Sequence, residues 1–505
     1  MRSEMAKPAA PRKHFVDAHG LRDAAQRRAA AALRKRVARG GLQLVRMAWA
    51  DPHGASRAKA VTPAVFLAAL EDGYNINVAT TTLDSAGARV FSSFTEGGGM
   101  GLAEMTGSPN ITIIPDPATF RVLPWAPRIG WILCDEYFND GTPFHFSPRH
   151  LLRRQVARLG DRGMRHVVGL EVEWYLSRIA EERLSDEHVG LPGVRGRPVG
   201  TTPVEPGYSY HSESNMDLMQ PVLSALADAY AGLGLPLRSV ENEWGPGQVE
   251  CTFSATDALQ AADDMLLFRT ATKQVCRRAG FHATFMARPA LHGHYASGWH
   301  LHQSVVRAVT GGNLFSAVGR NQVISDLGRC FAGGLLEHAA AAAVFASPTV
   351  NGYRRYKPNS LAPDRASWGR DHRGAMIRVV GGRGDPATRL ENRSGEPSAN
   401  PYLFIASQLV AGLDGVDRSL DPGEPDAEPY GAERRRLPAS LDEALDALER
   451  DELFRAQFGG VFVDYFLRLK RSELGRYRRW LQDNGVKGEP GEPTAWEHDE
   501  YYDFF

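Results

Sequence analysis

Cysteine is scarce in this 505-residue chain, and the four present, Cys134, Cys251, Cys276 and Cys330, share no metal-ligand spacing. That scatter excludes a disulfide-built fold and a cysteine metal cluster, and it suits a reducing, cytoplasmic setting. No apolar run approaches the ~20 residues that a membrane-spanning helix needs. Even the alanine run 339–343 is short and follows Glu337 and His338. The opening MRSEMAKPAAPRKHF has no apolar centre of the kind a signal peptide carries. Net charge is lacking too: 59 Lys+Arg balance 59 Asp+Glu, so no global field draws the chain to nucleic acid or to an anionic membrane. There is no Gly-x-x-x-x-Gly-Lys-Ser/Thr loop, which removes the P-loop route to a bound phosphate. Internal repeats and low-complexity tracts are absent as well. Recognition must therefore come from local clusters.

The length suits two or more domains, or one large domain with a smaller partner. Residues 17–39, rich in Ala, Arg and Leu, predict a leading helix that ends at Gly40 and Gly41. Residues 42–50 and 56–61 flank Asp51-Pro-His-Gly54, a hairpin signal, and Thr62-Pro63 opens a helix. The Gly-rich stretch 91–105 predicts a flexible loop, and residues 110–115 a buried strand. A boundary falls near residues 140–147, where Ser147-Pro148 predicts a capped amphipathic helix ending at Gly160. Beyond it, short apolar strands alternate with helices, which predicts a large α+β domain on a sheet. Gly/Pro-rich stretches at 186–207 and 418–438 are expected to be exposed loops. Ser440-Leu-Asp-Glu443 reads as a capping box, and Phe458-Gly-Gly breaks the pattern before a basic helix. The stretch EHDEYYDFF, acidic and aromatic, is suited to docking on a neighbouring copy.

Two strand-like segments place polar groups at positions i and i+2, hence on one face of a pleated strand, and a third brings its acids together across a turn. In GLEVEWYL these are Glu171 and Glu173, inside a hydrophobic run; in ASGWHLHQS they are His300 and His302; in ENEWGPGQVE a Pro-Gly turn brings Glu243 and Glu250 together. Each alone has an ordinary explanation, a solvated edge strand or a hydrogen-bonded histidine pair. Together with Glu391 they supply five carboxylates and imidazole, and buried carboxylates require a partner such as a divalent cation. The stretch 351–402 adds Arg354, Arg355, Arg365, Arg370, Arg373, Arg378, Arg383, Arg389 and Arg393 around the segment 388–393. An arginine run by itself is usually a basic surface loop; beside two hard-cation sites it becomes a kit for phosphoryl transfer from ATP.

In order and spacing from about residue 40 to residue 475, these segments resemble the glutamine synthetase family, through GLEVEWYL, ENEWGPGQVE, ASGWHLHQS, NGYRRYKPNSLAP, RDHRGAMIRV, TRLENR and SANPY. The resemblance implies a small N-terminal β-grasp domain with a leading helix over residues 1–145. It further implies a catalytic domain over residues 146–505, whose curved antiparallel sheet cups two Mg²⁺ or Mn²⁺ ions. Ring-shaped self-association, as a hexamer or dodecamer, is also implied. By position, Glu173, Glu243 and Glu250 resemble ligands of the metal nearer glutamate; Glu171, His300 and Glu391 resemble ligands of the metal on the ATP side. Ser304 and His302 fall where the family contacts nucleotide, and Arg373 and Arg378 where it holds phosphates. Arg355 and Arg393 match the arginines that bind glutamate, with Ala296 beside that site. The implied chemistry is attack of the glutamate γ-carboxylate on ATP, then displacement of phosphate by an amine.

Departures from the pattern redirect the substrate. Ammonia-using members carry a glutamate just before the Ala-Pro of NxYxRxxPxxxAP, and an aspartate at the start of the strand that ends in Pro-Asp; here Leu361 and Asn110 stand there. Only Glu96 or Glu104 in the Gly-rich loop offers a substitute acid. Without those acids a small cation loses its Coulombic attraction, and Leu361 offers apolar surface worth roughly 1.5–3 kcal/mol if a ligand buries it. An organic amine with an apolar or aromatic body is the expected acceptor, and an aromatic amine, neutral near pH 7, needs little help from a base. Tyr295-Ala296 replaces the family's Asn-Gly beside the glutamate site, leaving the acyl donor open; Arg383 lies near the place of a family lysine that contacts ATP. Two other readings remain: an ammonia-using synthetase with other acids at its ammonium site, and a non-catalytic scaffold or nitrogen sensor.

Overall fold

In a computed structural model of the chain, the described residues are 13–181, 183–319, 322–357, 360–431, 433–487 and 490–505. The start of the N-terminal stretch discussed above, and Pro358 and Asn359 of the NGYRRYKPNSLAP segment, lie outside them. The described backbone packs into two compact units, one of the described residues within 13–49, 58–78 and 109–144, the other of those within 50–57, 79–108 and 145–505. Residues 50–57 and 79–108, inside the 1–145 span, pack with the larger unit.

The smaller unit has the character of a β-grasp. Strands β1 (Leu44–Ala50), β2 (Ser56–Val61), β3 (Tyr74–Asn77), β4 (Asn110–Pro115), β5 (Arg121–Leu123) and β6 (Ala126–Tyr137) form one sheet in the order β2-β1-β6-β4-β3, with β5 on β6. β1 and β6 run parallel at its centre. Helix Pro63–Asp72 opens as its sequence predicts: the Thr62 hydroxyl accepts from Val65 N, and Pro sits at the first helical position. It stops at Gly73, whose φ of 68° and a Cβ that would meet Thr112 Cγ2 at 2.4 Å leave room for glycine alone.

The larger unit is built on ten strands. These are β7 (Met164–Ile179), β8 (Thr201–Pro203), β9 (Leu237–Asn242), β10 (Gln248–Phe253), β11 (Thr256–Asp257), β12 (Phe281–Thr284), β13 (Trp299–Arg307), β14 (Trp368–Arg370), β15 (Ile377–Val380) and β16 (Arg389–Gly395). The main path runs β14-β15-β16-β13-β7-β10-β9, with β8, β11 and β12 also pairing to β7. All pairings except β14–β15 are antiparallel. On β7, Leu170, Val172 and Trp174 are buried, and helices Pro148–Gly160 and Ala258–Arg278 cover the strand. The alternate positions, Glu171 and Glu173, fall on the other face. The sheet thus has a hydrophobic side that holds it and a polar side free for chemistry. No helix among the described residues is long and apolar enough to cross a membrane.

One local expectation changes. Helix Pro148–Gly160 forms, but Ser147 makes no side-chain cap, and proline at the first turn starts the helix instead. The EHDEYYDFF stretch packs on its own unit: helix Ala495–Tyr501 is followed by Tyr502, fully buried and stacked on His282 at 4.4 Å.

Candidate active site

Strand register assembles the site. On β7, Glu171 lies opposite His300 of β13, and Glu173 lies opposite Glu250 of β10. One step outward, His302 of β13 faces Glu391 of β16, Arg378 of β15 faces Glu391, and Glu241 of β9 faces Glu250. Directly paired residues hold their Cβ atoms about 5 Å apart, and like charges so placed repel. The segments ENEWGPGQVE, GLEVEWYL, ASGWHLHQS and TRLENR therefore meet on one face, joined by pairings that spacing within each segment does not set.

Distances follow from that register. His300 Nδ1 is 2.6 Å from Glu171 Oε1 and 3.8 Å from Glu391 Oε1, and His302 Nε2 is 3.0 Å from Glu171 Oε2. Glu391, fully buried, accepts from Arg393 Nη1 at 2.5 Å and Arg378 Nη1 at 2.9 Å. Glu173 accepts from Gly298 N at 2.8 Å and Gln248 Nε2 at 3.1 Å. A Cβ on Gly298 would lie 2.9 Å from Arg355 Nη2 and 3.0 Å from His300 Nε2, so a larger residue here would displace the tip of the guanidinium.

The acids divide by electrostatics. Burial opposes the charge on Glu171, but hydrogen bonds from His300 and His302 outweigh it and hold the carboxyl well below its ordinary range. Burial likewise opposes Glu391, where Arg393 prevails. Glu173 is pushed up by burial, only partly offset by His300 and the Gly298 N–H. Burial and then Glu173 raise Glu243 to about 8, and burial and then Glu171 and Glu173 raise Glu250 to about 10. On this side of the site the protein supplies too little positive charge for its own carboxylates.

The donor set fits a hard divalent cation: carboxylate oxygens in excess, imidazole nitrogen, no thiolate. Ligand atoms of Glu171, Glu250 and His300 lie within 4.8 Å of one another, and so do those of Glu171, His302 and Glu391. The set implied by position, Glu171, His300 and Glu391, is also close: His300 Nδ1 approaches an oxygen of each acid, at 2.6 and 3.8 Å. Both imidazoles of β13 reach Glu171, and His302 lies opposite Glu391 in register.

Two cavities flank this face. The first, about 530 Å³, is lined by Glu171, Glu173, Glu243, Glu250, His300, Arg355, Arg373, Arg378, Arg393, Ala296 and Leu361. The second, about 560 Å³, is lined by His302, Ser304, Arg238 and Arg389, and shares Glu171, Glu241 and Thr252 with the first. The arginine stretch does not crowd around one carboxylate as a block. Arg354 turns to Glu497, Arg365 to the carbonyls of Tyr430 and Arg434, and Arg383 to the carbonyl of Val318. Asn110 stands at the exposed start of β4 in the smaller unit, its carbonyl accepting from Asn139 Nδ2 at 3.2 Å. Glu96 is exposed and Glu104 lies 3.4 Å from His145; neither is among the residues lining the cleft. Sequence reasoning missed Tyr210 and Trp244, whose rings stack at 5.1 Å and 7° in the wall of the first cavity. Trp244 directly follows Glu243, which was the one available signal.

With this geometry in hand, comparison with known proteins gives the family. Residues 145–487 match the glutamine synthetase catalytic domain. The chain belongs to the glutamine synthetase family, whose members are carbon–nitrogen ligases that use ATP and divalent metal. A γ-glutamylanilide synthase from Acinetobacter sp is 45% identical over 495 residues, 97% of this chain and 98% of that protein. A glutamate–isopropylamine ligase from Pseudomonas sp is 32% identical over 73% of this chain and 81% of that protein. Among solved structures, a GmaS–ADP complex is similar with a TM-score of 0.73 and 27% identity, covering 90% of this chain and 99% of that one.

The raised acids set a pH dependence. For Glu243 and Glu250 the folded-state values lie above the ordinary 4.5, so the folded, metal-free chain holds protons that the unfolded chain has released, and stability falls as pH rises from about 5 toward 8. A divalent cation must displace those protons, so it binds better at higher pH. In a thermal-shift titration, a fixed Mn²⁺ concentration is expected to raise the melting temperature more at about pH 8 than at about pH 6. Equal rises at both values would refute the protonated carboxyls.

Proposed function

We propose that the chain is an ATP-dependent ligase joining the γ-carboxylate of glutamate to an organic amine with an apolar or aromatic body. The observation that carries this reading is the cleft wall: Leu361, Ala362, Tyr295 and the Tyr210–Trp244 stack line the same cavity as Glu243. Where ammonia-using members place an acid, this wall offers apolar surface. The similarity to a γ-glutamylanilide synthase and to a glutamate–isopropylamine ligase supports the same class of acceptor.

In this reading Arg355 and Arg393 bind the glutamate carboxylates beside Ala296, while His302 and Ser304 reach the nucleotide from the second cavity. Arg373 and Arg378 grip the phosphoryl group in transit, a role that fork-shaped guanidinium donors suit. Glu173, Glu243 and Glu250 would hold one Mg²⁺ or Mn²⁺, and Glu171 and Glu391 with His300 or His302 a second; bound there, the ions neutralise phosphate oxygens. A γ-carboxylate oxygen of glutamate attacks the terminal phosphorus of ATP, and the bond to the bridging oxygen breaks to release ADP. The amine nitrogen then attacks the acyl carbon of the γ-glutamyl phosphate. Phosphate leaves with the C–O electron pair, the nitrogen loses a proton, and an amide remains. Assembly into a hexameric or dodecameric ring in the cytoplasm belongs to the same proposal.

The test is a panel of ammonium, alkylamines and anilines, followed by glutamate-dependent phosphate release and mass detection of the amide. An aniline or alkylamine is expected as best acceptor. Ammonium as best acceptor would return the chain to the ammonia-using class, and failure to bind Mg-ATP would favour a scaffold or sensor. Leu361→Glu is expected to shift acceptor preference toward ammonium by on the order of 10-fold or more, the equivalent of the 1.5–3 kcal/mol of apolar contact removed. An unchanged preference in that variant would remove Leu361 from the amine pocket. Glu391→Gln, which keeps volume but loses the charge between Arg378 and Arg393, is expected to abolish glutamate-dependent ATP cleavage. Wild-type turnover would take Glu391 out of the phosphoryl-transfer site.

A further inference from the structure

A buried carboxylate that the chemistry above does not use lies one residue from the cleft in its effect. After helix Gly460–Asp483, the segment 490–505 returns over the larger unit and carries helix Ala495–Tyr501. Its start is locked by a capping box: the Thr494 hydroxyl accepts from Glu497 N at 3.2 Å, and Glu497 Oε1 accepts from Thr494 N at 3.1 Å. Glu497 is fully buried. It accepts from Arg354 Nε at 3.1 Å and Arg354 Nη2 at 3.0 Å, and from Asn351 Nδ2 at 2.8 Å.

Those partners belong to the 3₁₀ turn Asn351–Arg355, and the same segment holds the turn at further points. Arg354 Nη1 donates to the Pro490 carbonyl at 2.7 Å, and Val350 N donates to the Tyr501 hydroxyl at 3.4 Å. Asn351 also clasps residue 288 through both amide atoms, Nδ2 to the Arg288 carbonyl at 3.0 Å and Oδ1 from Arg288 N at 2.7 Å. Arg355, next in the chain, turns the other way. Its guanidinium lines the cleft, with Nη1 donating to the Ser394 carbonyl at 3.0 Å. Neighbouring arginines in one tight turn thus point in opposite directions, and fixing the first fixes the aim of the second. An oriented guanidinium fork loses most of its value if it drifts by an ångström.

We infer that Glu497 is a positioning residue for the amino-acid substrate: through Arg354 and Asn351, the segment 490–505 sets the direction in which Arg355 meets the glutamate carboxylate. This rests on the reading of Arg355 as a glutamate-binding arginine, and the experiment separates the two. Steady-state KM for glutamate and for ATP is measured, with an accepted amine, on the full chain and on Arg355→Ala, Glu497→Gln and Thr494→Ala. Glu497→Gln is expected to raise KM for glutamate about 10-fold or more while leaving KM for ATP within about 2-fold, as displacement of one oriented group predicts. Thr494→Ala, which only loosens the cap, moves the same constant in the same direction by less, and it carries the test if Glu497→Gln does not fold. Variants that melt earlier yet keep the wild-type KM for glutamate would overturn the inference and leave the bracing merely structural. If Arg355→Ala keeps the wild-type KM for glutamate, the role of Arg355 fails first and the inference falls with it.

Discussion

Repulsion among carboxylates packed on one face of a sheet is the constraint that the rest of this molecule answers. Glu171, Glu173, Glu243, Glu250 and Glu391 come from three separate segments, and four of them sit within strands whose other face is core. No single segment would tolerate that density of acid in its interior. The sheet holds it there because Leu170, Val172 and Trp174 on the reverse side of β7 bury apolar surface against helices, which supplies the stability that the polar face consumes. The fold is a support for an electrostatically unfavourable arrangement, and that arrangement is useful because a small, highly charged ion or a phosphate–metal assembly relieves it.

Relief is unequal across the site. Glu171 and Glu391 already have cationic or hydrogen-bonding partners of their own in His300, His302, Arg378 and Arg393. Glu243 and Glu250 have none of comparable strength, and protons take the place of a cation there. One half is therefore preorganised as a charged receptor, while the other is a proton-occupied acidic pocket that a divalent ion can empty. A site so divided would couple metal occupancy at Glu243 and Glu250 to pH much more strongly than at Glu171 and Glu391.

Much of this was legible before any coordinates. The i, i+2 spacing of Glu171 with Glu173 and of His300 with His302 fixed which side chains share a face, and Thr62-Pro63 marked a helix start. Register between distant strands was not legible. Whether His300 or His302 lies opposite Glu391 depends on how β13 pairs with β16, more than eighty residues away, and nothing local sets it. Nor could composition divide the arginines: Arg354 and Arg355 are identical neighbours in sequence, yet one is held by Glu497 and the other lines the cleft. The Tyr210–Trp244 stack was hidden for the same reason, because its two rings come from separate loops that no periodicity connects.

In the proposed reading, the position of Leu361 ties the electrostatic constraint to the choice of acceptor. Its backbone sits at a φ of 61°, a conformation that a bulky side chain adopts only when its surroundings enforce it, and its side chain borders a cleft already crowded with acid. A further carboxylate there would add to the repulsion, tolerable only if the arriving substrate were itself a cation. With leucine in that place the substrate need bring no charge. What it must bring instead is surface to cover, and Leu361, Ala362 and the ring of Trp244 line the cavity that would receive it. Under the proposed function, a neutral amine with a hydrocarbon or aromatic body would satisfy both conditions together, and ammonium would satisfy neither.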